Sequence, residues 1–203
     1  MTDEAIAALQ EDPDLGPLIA EYGPMTIEPA ENFYERFVVS ILRQQVSMAS
    51  AAATRERLFD RVEPTPEAML AADPEVLRDA GLSRQKTDYV RNVAEAFIDE
   101  GYSLDYFEGW TDEAVEAELT SIKGVGAWTA RMQLMFSLGR PDVFPVGDLG
   151  IRKGMDALFD AELTRTEMVE LAERWAPYRS YASLYLWRAD EDIIESVGEV
   201  TGL

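Results

Sequence analysis

The sequence predicts an all-α fold, and three observations carry that prediction. Apolar residues recur at three- and four-residue spacing, as in Phe33, Phe37, Val38, Ile41 and Leu42. Ser, Thr and Asp stand ahead of such runs, and Asp12 and Asp73 are each followed at once by proline, a signature of helix N-termini. No stretch alternates apolar and polar residues for long enough to form a strand.

The elements follow in order. Asp12-Pro13 reads as an N-cap with proline at the first helical position. The stripe from Phe33 to Leu42 leaves Arg36 and Arg43 off its apolar side. Ser47 caps an alanine-rich helix, Met48 to Phe59, whose small side chains permit close helix packing. Glu63-Pro64-Thr65-Pro66 is a turn with a short helix beyond it. Asp73-Pro74 repeats the cap-and-proline device, and that helix stops at Gly81. Ser83 opens the next helix, with Tyr89, Val93, Ala96 and Phe97 on one face. Thr111 caps another, placing Asp112 and Glu113 at the positive end of its dipole. Further helices fit roughly 126–138, 149–159, 164–175 and 178–188, and Phe144-Pro145-Val146-Gly147-Asp148 is a connector.

Composition removes several chemistries. The 203 residues include 39 acids and 18 bases but no cysteine and no histidine. That length suits one large domain or two small ones. Hydrophobic residues make up 47%, so the net charge of −21 does not mark a disordered acidic chain. Without Cys there is no disulfide, iron–sulfur cluster or thiol nucleophile. Without His, serine–histidine chemistry is excluded and only carboxylates remain as strong ligands for a transition metal. Acid–base work falls to Asp, Glu, Lys or Tyr.

No run of about 18 apolar residues occurs, and Met1-Thr2-Asp3-Glu4 is the reverse of a signal peptide. The expectation is a cytoplasmic chain with no membrane partner. Only Lys86, Lys123 and Lys153 are lysines; the other bases are arginine. Weakly hydrated arginine on a surface crowded with carboxylates points to a halophilic protein, with an activity optimum at high salt. The acids are also unevenly spread. Residues 31–60 balance at four of each sign, and residues 121–160 hold five bases against four acids. A polyanion has room to approach in those two windows, around Arg43 and around Lys123 to Lys153.

The second window contains Leu119-Thr120-Ser121-Ile122-Lys123-Gly124-Val125-Gly126-Ala127-Trp128-Thr129-Ala130. An acidic helix runs into a Gly-Val-Gly turn, and an apolar helix leaves it. The glycines allow positive φ and close backbone approach. The second helix begins at the turn, so its first N–H groups and its positive dipole end point outward together, as a phosphate-binding device does. Leu119, Ile122 and Val125 would pack beneath. The competing interpretation is a tight interhelical turn that uses glycine for geometry alone; the leucine–isoleucine–glycine spacing favours the phosphate.

With its hairpin, a Gly/Pro-rich loop and a following aspartate, the chain resembles the helix-hairpin-helix DNA glycosylase superfamily. The loop and aspartate are Gly139-Arg140-Pro141-Asp142-Val143-Phe144-Pro145-Val146-Gly147-Asp148. Within that superfamily it is most similar to the alkylated-base branch, DNA-3-methyladenine glycosylase II, of halophilic archaeal type. Ile41-Leu42-Arg43-Gln44-Gln45-Val46-Ser47 matches, as does Gly81-Leu82-Ser83 with Lys86 and Tyr89, and so does Arg174-Trp175-Ala176-Pro177-Tyr178-Arg179-Ser180-Tyr181-Ala182. The matching blocks span residues from about 33 to 188, most of the chain.

The resemblance implies a two-lobed helical fold without the N-terminal β-rich domain of the bacterial form. One lobe would be residues 33–140, holding the hairpin at about 111–138; the other would combine 1–32 with 141–203, leaving the active-site cleft between them. It implies that Asp148 is the catalytic carboxylate, a role compatible with capping the helix from Leu149 onward. Trp128 stands where the superfamily's lyases carry a Schiff-base lysine, so no lyase activity is expected. Trp128 and Trp187 match aromatic pocket positions suited to a flipped cationic purine. Met132 replaces a tyrosine of the bacterial pocket, and Tyr178 and Tyr181 are further wall candidates, whereas Trp175 reads as core. Gln45 takes the place of the wedge that fills the vacated stack, flanked by Arg43 and Gln44; the plain alternative is an ordinary interhelical turn.

Lys123, Gly124, Val125 and Gly126 would meet the DNA backbone. The carbonyls of Thr120, Ile122 and Gly124 would hold a structural Na+ or K+, with no cofactor needed for catalysis. The implied function is base excision repair by a monomer that removes 3-methyladenine and related alkylated purines from double-stranded DNA. Two alternatives stand beside it. The same fold would excise uracil, hypoxanthine or an oxidised purine instead, or a non-catalytic hairpin module would bind DNA for a partner.

Overall fold

The computed structural model describes residues 2–189, and among them every regular element is helical, as the pattern of caps and stripes requires. In chain order the α-helices are α1 (Thr2–Gln10), α2 (Leu15–Tyr22), α3 (Phe33–Arg43), α4 (Met48–Phe59), α5 (Pro66–Ala71), α6 (Pro74–Asp79), α7 (Arg84–Glu100), α8 (Asp112–Ser121), α9 (Ala127–Phe136), α10 (Leu149–Phe159), α11 (Arg165–Ala172) and α12 (Arg179–Ala189). No described helix is long and apolar enough to cross a membrane. The backbone gathers into two compact units: Pro29–Leu138, and the described residues of Met1–Glu28 and Gly139–Leu203.

In the unit Pro29–Leu138, α3 buries Phe33, Phe37, Val38, Ile41 and Leu42, the stripe visible in the sequence. The rings of Phe33 and Phe37 meet Phe97 of α7 at centroid distances of 5.0 and 5.8 Å, an aromatic cluster that adds edge-to-face attraction to area burial. The buried face of α7 is Thr87, Val90, Val93, Ala94 and Phe97. It is rotated from the expected one, leaving Tyr89 and Ala96 half-buried at its margin. Tyr89 is placed there because its ring covers the hairpin loop. Arg91 closes the end of α5, donating from one guanidinium nitrogen to the carbonyls of Met69, Leu70 and Ala72 at 3.0–3.3 Å.

In the second unit α10 lies directly against α12. Gly154 makes this possible, since a Cβ there would overlap the Leu186 carbonyl. Trp175 is buried between Phe144 and Phe159, as its core assignment predicts, and Arg174 ties the α1–α2 turn to it through Asp12 at 3.0 Å.

Three boundaries differ from the sequence expectation. The Asp12-Pro13 pair does not open a helix; α2 starts at Leu15, because the Asp12 carboxylate accepts the N–H groups of Asp14 and Leu15 in a preceding turn, each at 3.0 Å. The unanticipated α1 announces itself only by Asp3 and Glu4 in its first turn and by the buried Ala5 and Leu9, four residues apart. The helix expected over 164–175 is α11 followed by a 3-10 turn at Glu173–Trp175.

Candidate functional site

Asp148 stands at the end of the loop that starts at Gly139, and α12 holds that loop at several points. Arg179 grips Asp142 with two guanidinium nitrogens, at 2.8 and 3.0 Å, while its backbone N–H reaches the same carboxylate at 3.2 Å. Ser180 Oγ donates to the Arg140 carbonyl at 2.7 Å and accepts the Val143 N–H at 2.8 Å. Arg179 and Ser180 thus anchor the loop before the chain enters α10.

Asp148 then serves as the N-cap of α10, with Oδ1 accepting the Ile151 N–H at 3.1 Å. The same oxygen accepts the indole N–H of Trp187 at 2.9 Å. Two donors on one oxygen fix the plane of a half-buried carboxylate at the positive end of a helix, the end where negative charge is favoured. Gly150 leaves the necessary room; a Cβ there would stand 2.7 Å from Trp187 Cδ1 and 3.1 Å from Asp148 Oδ1. Beside Asp148, Leu149 is 60% exposed, an uncovered apolar side chain at the start of α10. Replacing Trp187 by Phe keeps an aromatic face and removes the N–H. The melting temperature is expected to fall by about 5 °C in a thermal scan, the effect of losing one hydrogen bond to a charged acceptor.

In the other unit, α8 and α9 are joined by Ile122-Lys123-Gly124-Val125-Gly126. Leu119, Ile122 and Val125 are buried under the turn. Gly124 has φ of +105°, and the Tyr89 ring lies so close that a Cβ on Gly124 would overlap it. Gly126 is the N-cap of α9 and brings no capping side chain, so the first turn of that helix is presented with its dipole end exposed. Lys123 is exposed, and its carbonyl accepts Asn92 Nδ2 at 2.9 Å.

The carbonyls expected to face a monovalent cation are drawn partly inward. Ile122 O accepts the Val125 N–H at 3.0 Å and Gly124 O accepts Gln44 Nε2 at 3.1 Å. Each carbonyl oxygen has a second lone pair, so a hard, oxygen-seeking cation is chemically compatible with both. Among the described residues no group of three or more carboxylates stands together as a metal site.

The turn between α3 and α4 carries Gln44 and Gln45. Gln45 has φ of +59°, unusual for a residue with a side chain, and it is exposed together with Val46. Gln44 turns the other way, its Nε2 donating to Gly124 O and to Thr129 Oγ1, both at 3.1 Å. Lys86 Nζ donates to the Leu42 carbonyl at 2.5 Å, and burial lowers its pKa. Arg43 is half-buried at the same turn.

Of the aromatic candidates, Trp128 is half-buried and Met132, one turn further along α9, is buried. Trp187 is placed on Asp148. Tyr178 is half-buried and stacks edge-on against Tyr181 at 6.4 Å. Tyr181 is buried, with its hydroxyl 3.4 Å from Thr2 Oγ1. Within its unit the fold brings Gln44 to Gly124; within the other it brings Trp187 to Asp148. The roles of Thr129, Tyr89 and Arg179 were not assigned from sequence, although Tyr89 and Arg179 stand in the blocks that match the family.

This arrangement has counterparts among known proteins. A family model described as the HhH-GPD superfamily base excision DNA repair protein matches residues 38–178. The chain is 34% identical over 182 residues to DNA-3-methyladenine glycosylase 1 of Schizosaccharomyces pombe, covering 86% of this chain and 79% of that one. It is 30% identical over 198 residues to YfjP of Bacillus subtilis, covering 92% of itself and 66% of that relative's length. The structure of the Schizosaccharomyces pombe 3-methyladenine DNA glycosylase Mag1, in complex with abasic DNA, superposes with a TM-score of 0.84 at 32% identity, over 91% of this chain and 95% of the other. With the family model covering more than half its length, the chain belongs to the HhH-GPD superfamily of base excision DNA repair proteins.

Proposed function

We propose that this chain is a monofunctional DNA glycosylase that hydrolyses the N-glycosidic bond of alkylated purines, 3-methyladenine foremost, in double-stranded DNA. The observation that carries the reading is Asp148, a carboxylate oriented by Ile151 and Trp187 at a helix N-terminus, in a chain of the base excision superfamily. Alkylation leaves a positive charge on the purine. When the C1′–N bond breaks, the base takes the bonding pair and departs neutral, so no general acid is needed. Positive charge passes to the deoxyribose, where the Asp148 carboxylate opposes it. Water then adds to C1′ and gives its proton to Asp148 or to solvent. The proton donor that this chain lacks, histidine, is not required by this substrate class.

The hairpin holds a phosphate on the α9 N-terminus, with Lys123 beside it. A Na+ or K+ at the carbonyls of Thr120, Ile122 and Gly124 would add positive charge toward the same phosphate. Trp128 offers an electron-rich face to the flipped cationic base, and Gln45 fills the stack it leaves. Because Trp128 occupies the position of the lyase amine, strand scission is expected only after alkali.

A panel of duplexes carrying 3-methyladenine, hypoxanthine, uracil or an oxidised purine tests the reading. Free base release from the methylated duplex, with nicks appearing only on alkali treatment, supports it. Release of one of the other bases alone would replace the substrate class, and binding with no release would leave a hairpin module.

A further inference from the structure

The two sequence windows that escape the acidic coating meet inside one unit, through polar groups that the proposed mechanism leaves without a task. Ser40 on α3 and Gln44, the C-cap residue just past its end, stand four residues apart. Thr129 and Gln133 on α9, and Ser137 at its C-cap, follow the same spacing. The two rows pair. Gln133 Nε2 donates to Ser40 Oγ at 2.8 Å, Ser137 Oγ donates to Gln133 Oε1 at 2.7 Å, and Gln44 Nε2 donates to Thr129 Oγ1 at 3.1 Å. Ser40, Thr129, Gln133 and Ser137 are all buried.

A purely apolar helix contact of this size would be at least as stable, because burying polar groups costs what their hydrogen bonds return. What a satisfied polar seam adds is register: sliding or rotating α3 on α9 leaves buried amides and hydroxyls unpaired, which disfavours every other register. Gln44 has a further bond that an ordinary core amide lacks. Its second amide hydrogen reaches Gly124 O, inside the phosphate-gripping loop. From the other side Lys86 draws in the Leu42 carbonyl, and the same helix sets the Tyr89 ring over Gly124. The residue held by all this is Gln45, exposed and in the left-handed region, where a non-glycine residue persists only if its neighbours enforce it.

We propose that Gln44 is a positioning residue that locks the Gln45 turn to the Gly-Val-Gly loop, so that gripping a phosphate and inserting the wedge are one rigid placement. The proposal rests on the wedge reading of Gln45. Its consequence is selective. Opening an intact base stack needs the wedge at a defined distance from the gripped phosphate, whereas a duplex already missing the base needs no expulsion.

The test compares Gln44→Met, Thr129→Val, Gln45→Ala and the double variant Gln44→Met with Gln45→Ala. The substrate is a duplex with one alkylated purine beside a 2-aminopurine reporter, and binding is measured on the same duplex with a tetrahydrofuran abasic analogue. Gln44→Met is expected to slow single-turnover excision by about tenfold and to weaken the unstacking signal of the reporter, while changing abasic-duplex affinity by less than about twofold. Thr129→Val, isosteric and missing one of the two acceptors, shifts both readouts the same way and decides the matter if Gln44→Met does not fold. In the Gln45→Ala background, Gln44→Met adds no further loss.

If Gln45→Ala is impaired while Gln44→Met or Thr129→Val excises as the wild type does, the lock is overturned and the wedge stands. Losses that multiply in the double variant also overturn it. If Gln45→Ala itself excises normally, the wedge reading fails and the lock falls with it.

Discussion

Asp148→Asn is expected to release alkylated purines at least about a hundredfold more slowly than the wild type in a single-turnover assay, with the melting temperature within a few degrees. The pairing of those outcomes is what gives the experiment its force. Asparagine is as good an N-cap as aspartate, so its carbonyl oxygen can still accept the Ile151 N–H and the Trp187 indole N–H. The loop braced by Arg179 and Ser180 is untouched. Only the negative charge is removed, and in the proposed mechanism the charge is the part that opposes a developing cation on the sugar. Asp148→Ala removes both functions and is expected to lower stability by about 1 kcal/mol as well. If Asp148→Asn excised at the wild-type rate, Asp148 would be a helix cap and nothing more. Duplex affinity of Asp148→Asn should match the wild type, because hairpin and wedge belong to other elements.

What was legible in the sequence was the chemistry of near neighbours. Ser47, Ser83 and Asp148 accept the N–H three residues on, a relation the sequence displays directly, and the observed caps fall on those residues. The Gly-Val-Gly turn with Leu119 and Ile122 before it was legible for the same reason, since glycine and its packing residues are adjacent. Partners far apart in the chain left no such trace. Gln44 and Gly124 are 80 residues apart, Asp148 and Trp187 are 39 apart, and Asp142 and Arg179 are 37 apart. A glutamine beside a candidate wedge looks like a DNA contact until the fold shows both its amide hydrogens turned inward. Asp12 failed differently. A side-chain cap can close a turn as well as a helix, and the sequence Asp-Pro does not distinguish them.

Gly124→Ala is expected to raise the Kd for an abasic-analogue duplex by at least tenfold while the unit remains folded, since two penalties fall on one small loop. The first is conformational. At φ of +105° an L-residue is strained by about 1–2 kcal/mol, roughly a tenfold change if relieved only by abandoning the gripping conformation. The second is steric, because the added methyl overlaps the Tyr89 ring near its attachment point, where a rotamer change does little to help. Tyr89 is held by α7, whose Lys86 is engaged with the Leu42 carbonyl, so the ring cannot retreat without disturbing the Gln45 turn. The double variant Gly124→Ala with Tyr89→Ala separates the two. It removes the clash and keeps the φ strain, so its affinity should recover in part and stop short of the wild type by about tenfold. Full recovery would mean that the loop tolerates alanine and that glycine is there only to admit the tyrosine. No recovery would put the whole cost in the backbone, and the hairpin's grip would then depend on one residue's freedom to adopt positive φ.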